Sequence, residues 1–134
     1  MKIKGIRKLS TPRIRIGQPL SAINIPVTVT IVQSPSAITV STGSTALFSS
    51  SGRSSNNTTV FYSWQRSTDN TNFTFISNAK NRQYTTSALT LTDNNTYYRC
   101  ALSANNSELI YTNSAKLSVI TAPVINYIGW YVIQ

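Results

Sequence analysis

An all-β sandwich is the fold class that this sequence predicts, and three observations support it. Ser, Thr and Asn together make up 50 of the 134 residues, and isoleucine accounts for 14 more. Strand-favouring residues such as isoleucine and threonine abound, whereas the helix-favouring residues Glu, Lys, Leu and Ala are thin. Short alternating segments separated by turn residues run through residues 27–120, which is typical of a sandwich. A chain of this length is expected to form one domain with a sizeable core.

The middle segment, residues 27–120, divides into short predicted strands. In order, they are 27–31, 38–40, 45–50, 60–65, 73–76, 88–91, 97–104 and 109–120, the last with an irregularity near Asn113 and Ser114. The polar run 51–59 is predicted to be a loop, and residues 67–72 a hairpin turn. Alternation places Val60, Tyr62 and Trp64 on one side of their strand.

The N-terminal segment, residues 1–26, is predicted to be an extended basic arm. Six of the twelve basic residues lie in its first fifteen positions without an acid among them, so these positions carry +6 of the net +9. Three prolines discourage a helix, and isoleucines alternate with cations, which places them on opposite sides of an extended chain. We expect this arm to bind a partner through Lys2, Ile3, Lys4, Arg7, Lys8, Arg13, Ile14, Arg15 and Ile16.

The C-terminal segment, residues 121–134, carries no charge and is rich in β-branched and aromatic residues. A solvated tail has a different composition. We therefore predict that this segment pairs as a strand, on its own domain or on a neighbouring subunit. Trp130 and Tyr131 join the residues predicted to bind a partner.

The inventory of reactive groups predicts that the protein is not an enzyme and uses no cofactor or metal. The chain has no histidine, and its only carboxyl side chains are Asp69, Asp93 and Glu108. The two aspartates lie in turn-like runs, where they are expected to cap backbone groups. The single cysteine, Cys100, has no intramolecular disulfide partner and is expected to be a small buried hydrophobe. No apolar stretch reaches the length of a membrane span, so no membrane partner is expected.

Three motifs in the middle segment together resemble the immunoglobulin-like sandwich. They are Gly43-x-x-Ala46-x-Phe48-x-Ser50, then Tyr62-x-Trp64, then Asn94-x-Thr96-x-Tyr98-x-Cys100. The first resembles strand B of that family with serine in place of the usual cysteine, and the third resembles its tyrosine corner and strand F. The resemblance implies an antiparallel sandwich whose core contains Phe48, Trp64, Tyr98 and Cys100. Trp64 would pack over Cys100 and Ser50, and the Tyr98 hydroxyl would bond to nearby backbone.

A narrower resemblance carries an expectation about function. Residues 63–74, 84–86 and 95–100 are similar to the immunoglobulin-like modules of bacterial surface proteins and tailed-bacteriophage virion proteins. The resemblance implies a capsid decoration or cement protein located in the virion, whose partners are viral capsid or tail proteins. Self-association and a host surface glycan are further partners that it leaves open.

Several alternatives stand beside this interpretation. The first is a tail or baseplate accessory protein with a role in host-surface adhesion. A basic nucleic-acid-binding protein is less favoured, because the arm has no aromatic residue for base stacking and most of the charge is confined to it. The arm as a merely solvated tail is disfavoured by its strict alternation. A secreted adhesin is disfavoured by the lack of an export signal in this sequence.

Overall fold

The structure, a computed structural model, describes residues 25–124, and they form an all-β domain. Its ten strands are β1 (Val29–Gln33), β2 (Ile38–Ser41), β3 (Leu47–Ser49), β4 (Ser51–Ser54), β5 (Phe61–Ser67), β6 (Thr74–Phe75), β7 (Gln83–Thr85), β8 (Thr96–Ser103), β9 (Ile110–Tyr111) and β10 (Ala115–Ile120). One 3-10 helical turn, Leu91–Asp93, precedes β8. The predicted fold class is confirmed.

The larger sheet has the strand order β2-β10-β8-β5-β6, and β9 also pairs with β8. All of its pairings are antiparallel except that of β10 with β2. The pairing of β5 with β8 is the longest, running from Phe61 opposite Ser103 to Ser67 opposite Tyr97. Because Trp64 lies opposite Cys100 in this register, the two side chains enter the core together.

The opposing layer consists of two ladders, β1 with β4 and β3 with β7. β3 and β4 are consecutive pieces of one extended stretch, and the partner changes at Ser50, whose backbone N–H donates to the carbonyl of Arg82. Earlier in the chain, the connection from β1 to β2 leads from this layer to the edge of the larger sheet. Apolar side chains of β1 and β3 pack against those of β5 and β8 to form one core.

Four aromatic rings fill the space between the layers. Phe48 stacks on Tyr98 with ring centroids 4.6 Å apart, and Tyr84 lies 5.9 Å from Tyr98. Trp64 contacts Phe48 and Tyr84 at centroid separations of 6.4 and 6.2 Å. Aromatic pairs at these separations add to the free energy gained by burial alone.

Asparagine provides the left-handed backbone that the turns require. Positive φ angles of 60–65° occur at five asparagines, namely Asn57, Asn70, Asn78, Asn95 and Asn106. Asparagine tolerates this region because its short polar side chain bonds to local backbone. The high asparagine content of the chain thus reflects turn geometry in part.

Three local predictions were wrong. The polar run 51–59 begins with strand β4, because Gly52 and its neighbours pair with β1. Residues 88–91 are not a strand. The Leu89 side chain is buried in the core, and Leu91 begins the 3-10 turn. The sequence analysis predicted no strand at residues 83–85, where the structure has β7, which pairs with β3.

Candidate functional site

The residues predicted to bind a partner lie outside the described part of the chain. This holds for Lys2, Ile3, Lys4, Arg7, Lys8, Arg13, Ile14, Arg15 and Ile16, and also for Trp130 and Tyr131. Of the C-terminal segment, residues 121–124 are described, and they form no strand. The structure therefore fixes where both flanking segments join the sandwich, and their partner contacts stay predictions.

The two flanking segments join the sandwich at opposite ends. At one end, the backbone N–H of Val27 donates to the carbonyl of Asn106, which lies beyond the last residue of β8. At the other end, Thr42 donates to the carbonyl of Ile120, and Ala122 donates to the Thr42 hydroxyl. β8 spans the distance between these ends. Ile25 and Val124, the outermost described residues, are both exposed.

The four residues predicted for the core are all buried, with exposed fractions of 0–3% for Phe48, Trp64, Tyr98 and Cys100. The indole N–H of Trp64 donates to the carbonyl of Asn81 at 2.8 Å, so the buried ring leaves no polar atom unpaired.

The hydroxyl of Tyr98 has a different partner from the backbone group implied by the resemblance. It accepts a hydrogen bond from Nε of Arg66 at 3.2 Å. Arg66 lies directly opposite Tyr98 in the β5–β8 register, and its Nη2 atom lies 3.3 Å from the Asp93 carboxylate. The ion pair thus holds the guanidinium where it reaches the tyrosine.

The cysteine is a buried thiol beside a serine. Burial raises the pKa of Cys100 to about 11, although hydrogen bonds with the Ser63 backbone and the Ser50 side chain act in the opposite direction. Ser50 occupies the place that a disulfide partner has in the resembled family, and its hydroxyl also donates to the carbonyl of Gln33 at 3.1 Å. The thiol is therefore a packing group.

Alkylation with iodoacetamide at pH 8 tests this role of Cys100. Because its thiolate is scarce and its sulfur is enclosed, we expect the folded protein to react about a hundredfold more slowly than the unfolded chain. Mass spectrometry of the only cysteine in the chain reports the reaction directly. Equal rates with and without concentrated guanidinium chloride would contradict the buried placement.

Both aspartates have structural partners. The Asp69 carboxylate accepts hydrogen bonds from the backbone of Thr71 and Asn72, the Asn72 amide and the Ser67 hydroxyl, and these bonds hold its pKa well below the ordinary value. Asp93 forms a capping box with Thr90 and pairs with Arg66. Both carboxylates thus stabilise local turns through these contacts.

No group of three or more potential metal ligands occurs among residues 25–124. In the same residues, no helix is long and apolar enough to cross a membrane.

A polar depression lies where β3 and β4 change partners. Its volume is about 790 Å³, and its lining residues are Gln33, Ser49, Ser50, Asn81, Arg82, Gln83 and Thr85. The lining offers amide and hydroxyl groups, one guanidinium and no carboxylate. Such a set of donors and acceptors suits a polyhydroxylated ligand.

The sequence interpretation missed one feature of the larger sheet's outer surface. Arg99 of β8 lies between the rings of Phe73 and Tyr111, at 4.0 and 4.1 Å from their centroids. The alternation of β8 was a signal that Arg99 faces away from the core. Nothing in the sequence showed that two aromatic residues 26 positions before and 12 positions after it would meet there.

Solved structures with a similar fold are immunoglobulin domains. The N-terminal Ig1-2 module of the Drosophila receptor protein tyrosine phosphatase DLAR aligns with a TM-score of 0.56 at 14% identity over 76% of this chain. This chain spans only 53% of that module. Sidekick-1 immunoglobulin domains 1–5 align with a TM-score of 0.52 at 16% identity, over 70% of this chain and 20% of that one. No curated protein matches the sequence.

The strand arrangement, the aromatic core and these similarities show an immunoglobulin-like fold. Residues 24–121 match the family described as Domain of unknown function (DUF8696). The chain belongs to that family.

Proposed function

We propose that this chain is a non-enzymatic structural protein of a bacteriophage virion, a capsid decoration protein whose N-terminal arm anchors an immunoglobulin-like domain. The observation that carries the proposal is that the flanking segments join at opposite ends of the sandwich. An anchor at one end leaves the other end free to project or to contact a neighbouring subunit.

The distribution of charge supports an arm that anchors. Residues 25–124 contain six basic and three acidic side chains, a net +3, whereas the first fifteen residues carry +6. An extended segment with isoleucines on one side and cations on the other suits strand addition to a sheet edge with acidic surroundings. The repeated subunits of a virion surface offer many copies of one such edge.

A role as a tail or baseplate accessory protein that adheres to the host surface is the second candidate. The polar depression around Arg82 favours it, since amide and hydroxyl groups dominate its lining. In that role a host glycan would occupy the depression and the arm would still attach the protein to the virion.

Deletion of residues 1–18 tests the anchoring role. We expect the full chain to bind virion particles assembled without it, and the deletion variant to lose this binding, because the isoleucine and cation faces are removed together. Co-sedimentation of protein with particles measures the outcome. Arg53→Gln together with Lys116→Gln is the control, because it removes two exposed cations of the sandwich and leaves the arm intact.

Binding by the variant that lacks residues 1–18 would contradict the proposal. Retention of the full chain on a DNA column, with a steep dependence on salt that the same deletion removes, would instead favour nucleic acid as the partner.

A further inference from the structure

The outer surface of the larger sheet holds an arginine whose position is fixed on three sides. The Cζ atom of the Arg99 guanidinium lies over the rings of Phe73 and Tyr111, 4.0 and 4.1 Å from their centroids. Its Nε atom donates to the Oε1 atom of Gln65 at 2.7 Å, and Gln65 is itself only 4% exposed. The arginine is thus preorganised, so little side-chain entropy remains to be lost when it binds.

The two terminal amino groups of Arg99 have no protein partner within residues 25–124. Their hydrogen bonds are unmade there, and Arg66–Asp93 is the one ion pair in that part of the chain. A guanidinium that packs over aromatic rings can keep its in-plane donors available, and a carboxylate matches two parallel donors of this fork. The geometry therefore selects a planar anion that approaches in the plane of the guanidinium.

Exposed aromatic side chains lie on the same sheet as this arginine. Phe61, Phe75 and Tyr111 keep 50%, 56% and 42% of their surface in solvent, and all three lie on strands of the larger sheet. Ala101 is buried beneath this surface although its side chain points away from the core. Aromatic residues and arginine are the types that dominate the energetic centres of protein interfaces.

We infer that this surface, here called the Arg99 face (Phe61, Phe73, Phe75, Arg99 and Tyr111), docks a partner protein that presents an Asp or Glu side chain beside an apolar one. Charge complementarity favours an acidic partner, since residues 25–124 carry a net +3. A second copy would bring like charges together. The outer surface of a sheet suits a protein surface, whereas sugars and other small ligands favour concave sites. The inference does not depend on the N-terminal arm.

The test is a titration of the full chain with two blocked tripeptides, followed by NMR. One peptide has the sequence phenylalanine–glutamate–phenylalanine, and the other has glutamine in place of glutamate. We expect the glutamate peptide to bind at least about fivefold more tightly, because only the carboxylate pairs with the guanidinium fork. Its addition should shift the Nε–Hε signal of Arg99 and the ring signals of Phe73 and Tyr111.

Two conservative variants make the test specific. Arg99→Lys keeps the charge but loses the planar fork, so its preference for the glutamate peptide should disappear. Arg53→Lys changes a cation on the smaller layer and should keep the preference. Slow alkylation of Cys100 shows that each variant is folded.

Equal affinity for the two peptides, or an unchanged preference in Arg99→Lys, would overturn the inference. Tighter binding of N-acetylneuraminic acid than of the glutamate peptide would also overturn it, in favour of a carboxylated sugar. Shifts of the Arg99 signal with protein concentration alone would overturn it in favour of a second copy.

Discussion

Replacing Trp64 with alanine is expected to lower the free energy of unfolding by about 3–5 kcal/mol, the typical cost of deleting a fully buried tryptophan. The indole is 0% exposed and contacts Phe48 and Tyr84 across the core. Its loss leaves a cavity and removes the donor to the carbonyl of Asn81. Domains of this size are stable by about 5–15 kcal/mol, and no disulfide among residues 25–124 compensates, so the variant should unfold at a markedly lower urea concentration than the wild type.

Equilibrium unfolding in urea, followed by circular dichroism, measures this effect. Phe61→Ala is the matched control, since Phe61 lies on the same strand with its side chain on the outer surface. Its cost should be about 0.5 kcal/mol, as for other exposed positions. If the two variants lost similar amounts of stability, Trp64 would not be the centre of the core.

Gly52→Ala is expected to destabilise the domain by about 1–3 kcal/mol through overpacking. A methyl group at this position would collide with the Cδ2 atom of Leu102 and lie 3.2 Å from the carbonyl oxygen of Thr30. Leu102 is fully buried, so its side chain has little room to move. The glycine is needed here for the close approach of β4 to β8.

A double-mutant cycle separates this collision from other effects. Leu102→Ala alone should cost about 2–5 kcal/mol, and Gly52→Ala should cost less in that background than in the wild type. Urea unfolding of the four proteins gives the coupling energy. Additive costs would mean that Leu102 does not limit the space at Gly52.

The core was predictable from the sequence because its residues alternate. Tyr62 and Trp64 on β5, and Tyr98 and Cys100 on β8, follow the period of two that a sheet with one buried face requires. The irregularity predicted near Asn113 corresponds to the break between β9 and β10, where the Thr112 hydroxyl accepts from the backbone N–H of Cys100.

Strand β4 could not be predicted because its side chains carry no apolar pattern. Its sequence is Ser-Gly-Arg-Ser, and what holds it is the backbone ladder with β1. The backbone N–H of Gly52 also donates to the hydroxyl of Tyr62, which lies in the opposite layer. Such pairing depends on tertiary neighbours, which local composition does not reveal.

The segment around Leu89 misled the prediction for a similar reason. Alternation of leucine and threonine in residues 89–92 imitates a strand, but Thr90 and Asp93 form a capping box that begins a 3-10 turn. Of the two leucines, only Leu89 is buried, whereas Leu91 is 54% exposed.

The Arg99 face could not be predicted from the sequence either. Its residues come from separate stretches of the chain, and only the fold brings them together.

The distance between the two chain exits tests the proposed role most directly, because an anchored and projecting domain needs its flanking segments at opposite ends. Nitroxide labels on cysteines introduced at Ile25 and Val124 report it by pulsed electron spin resonance, while buried Cys100 stays unlabelled. The eight residues of β8 alone span about 26 Å at about 3.3 Å per residue. We predict a distance distribution centred beyond about 25 Å, and a centre below about 15 Å would contradict the account.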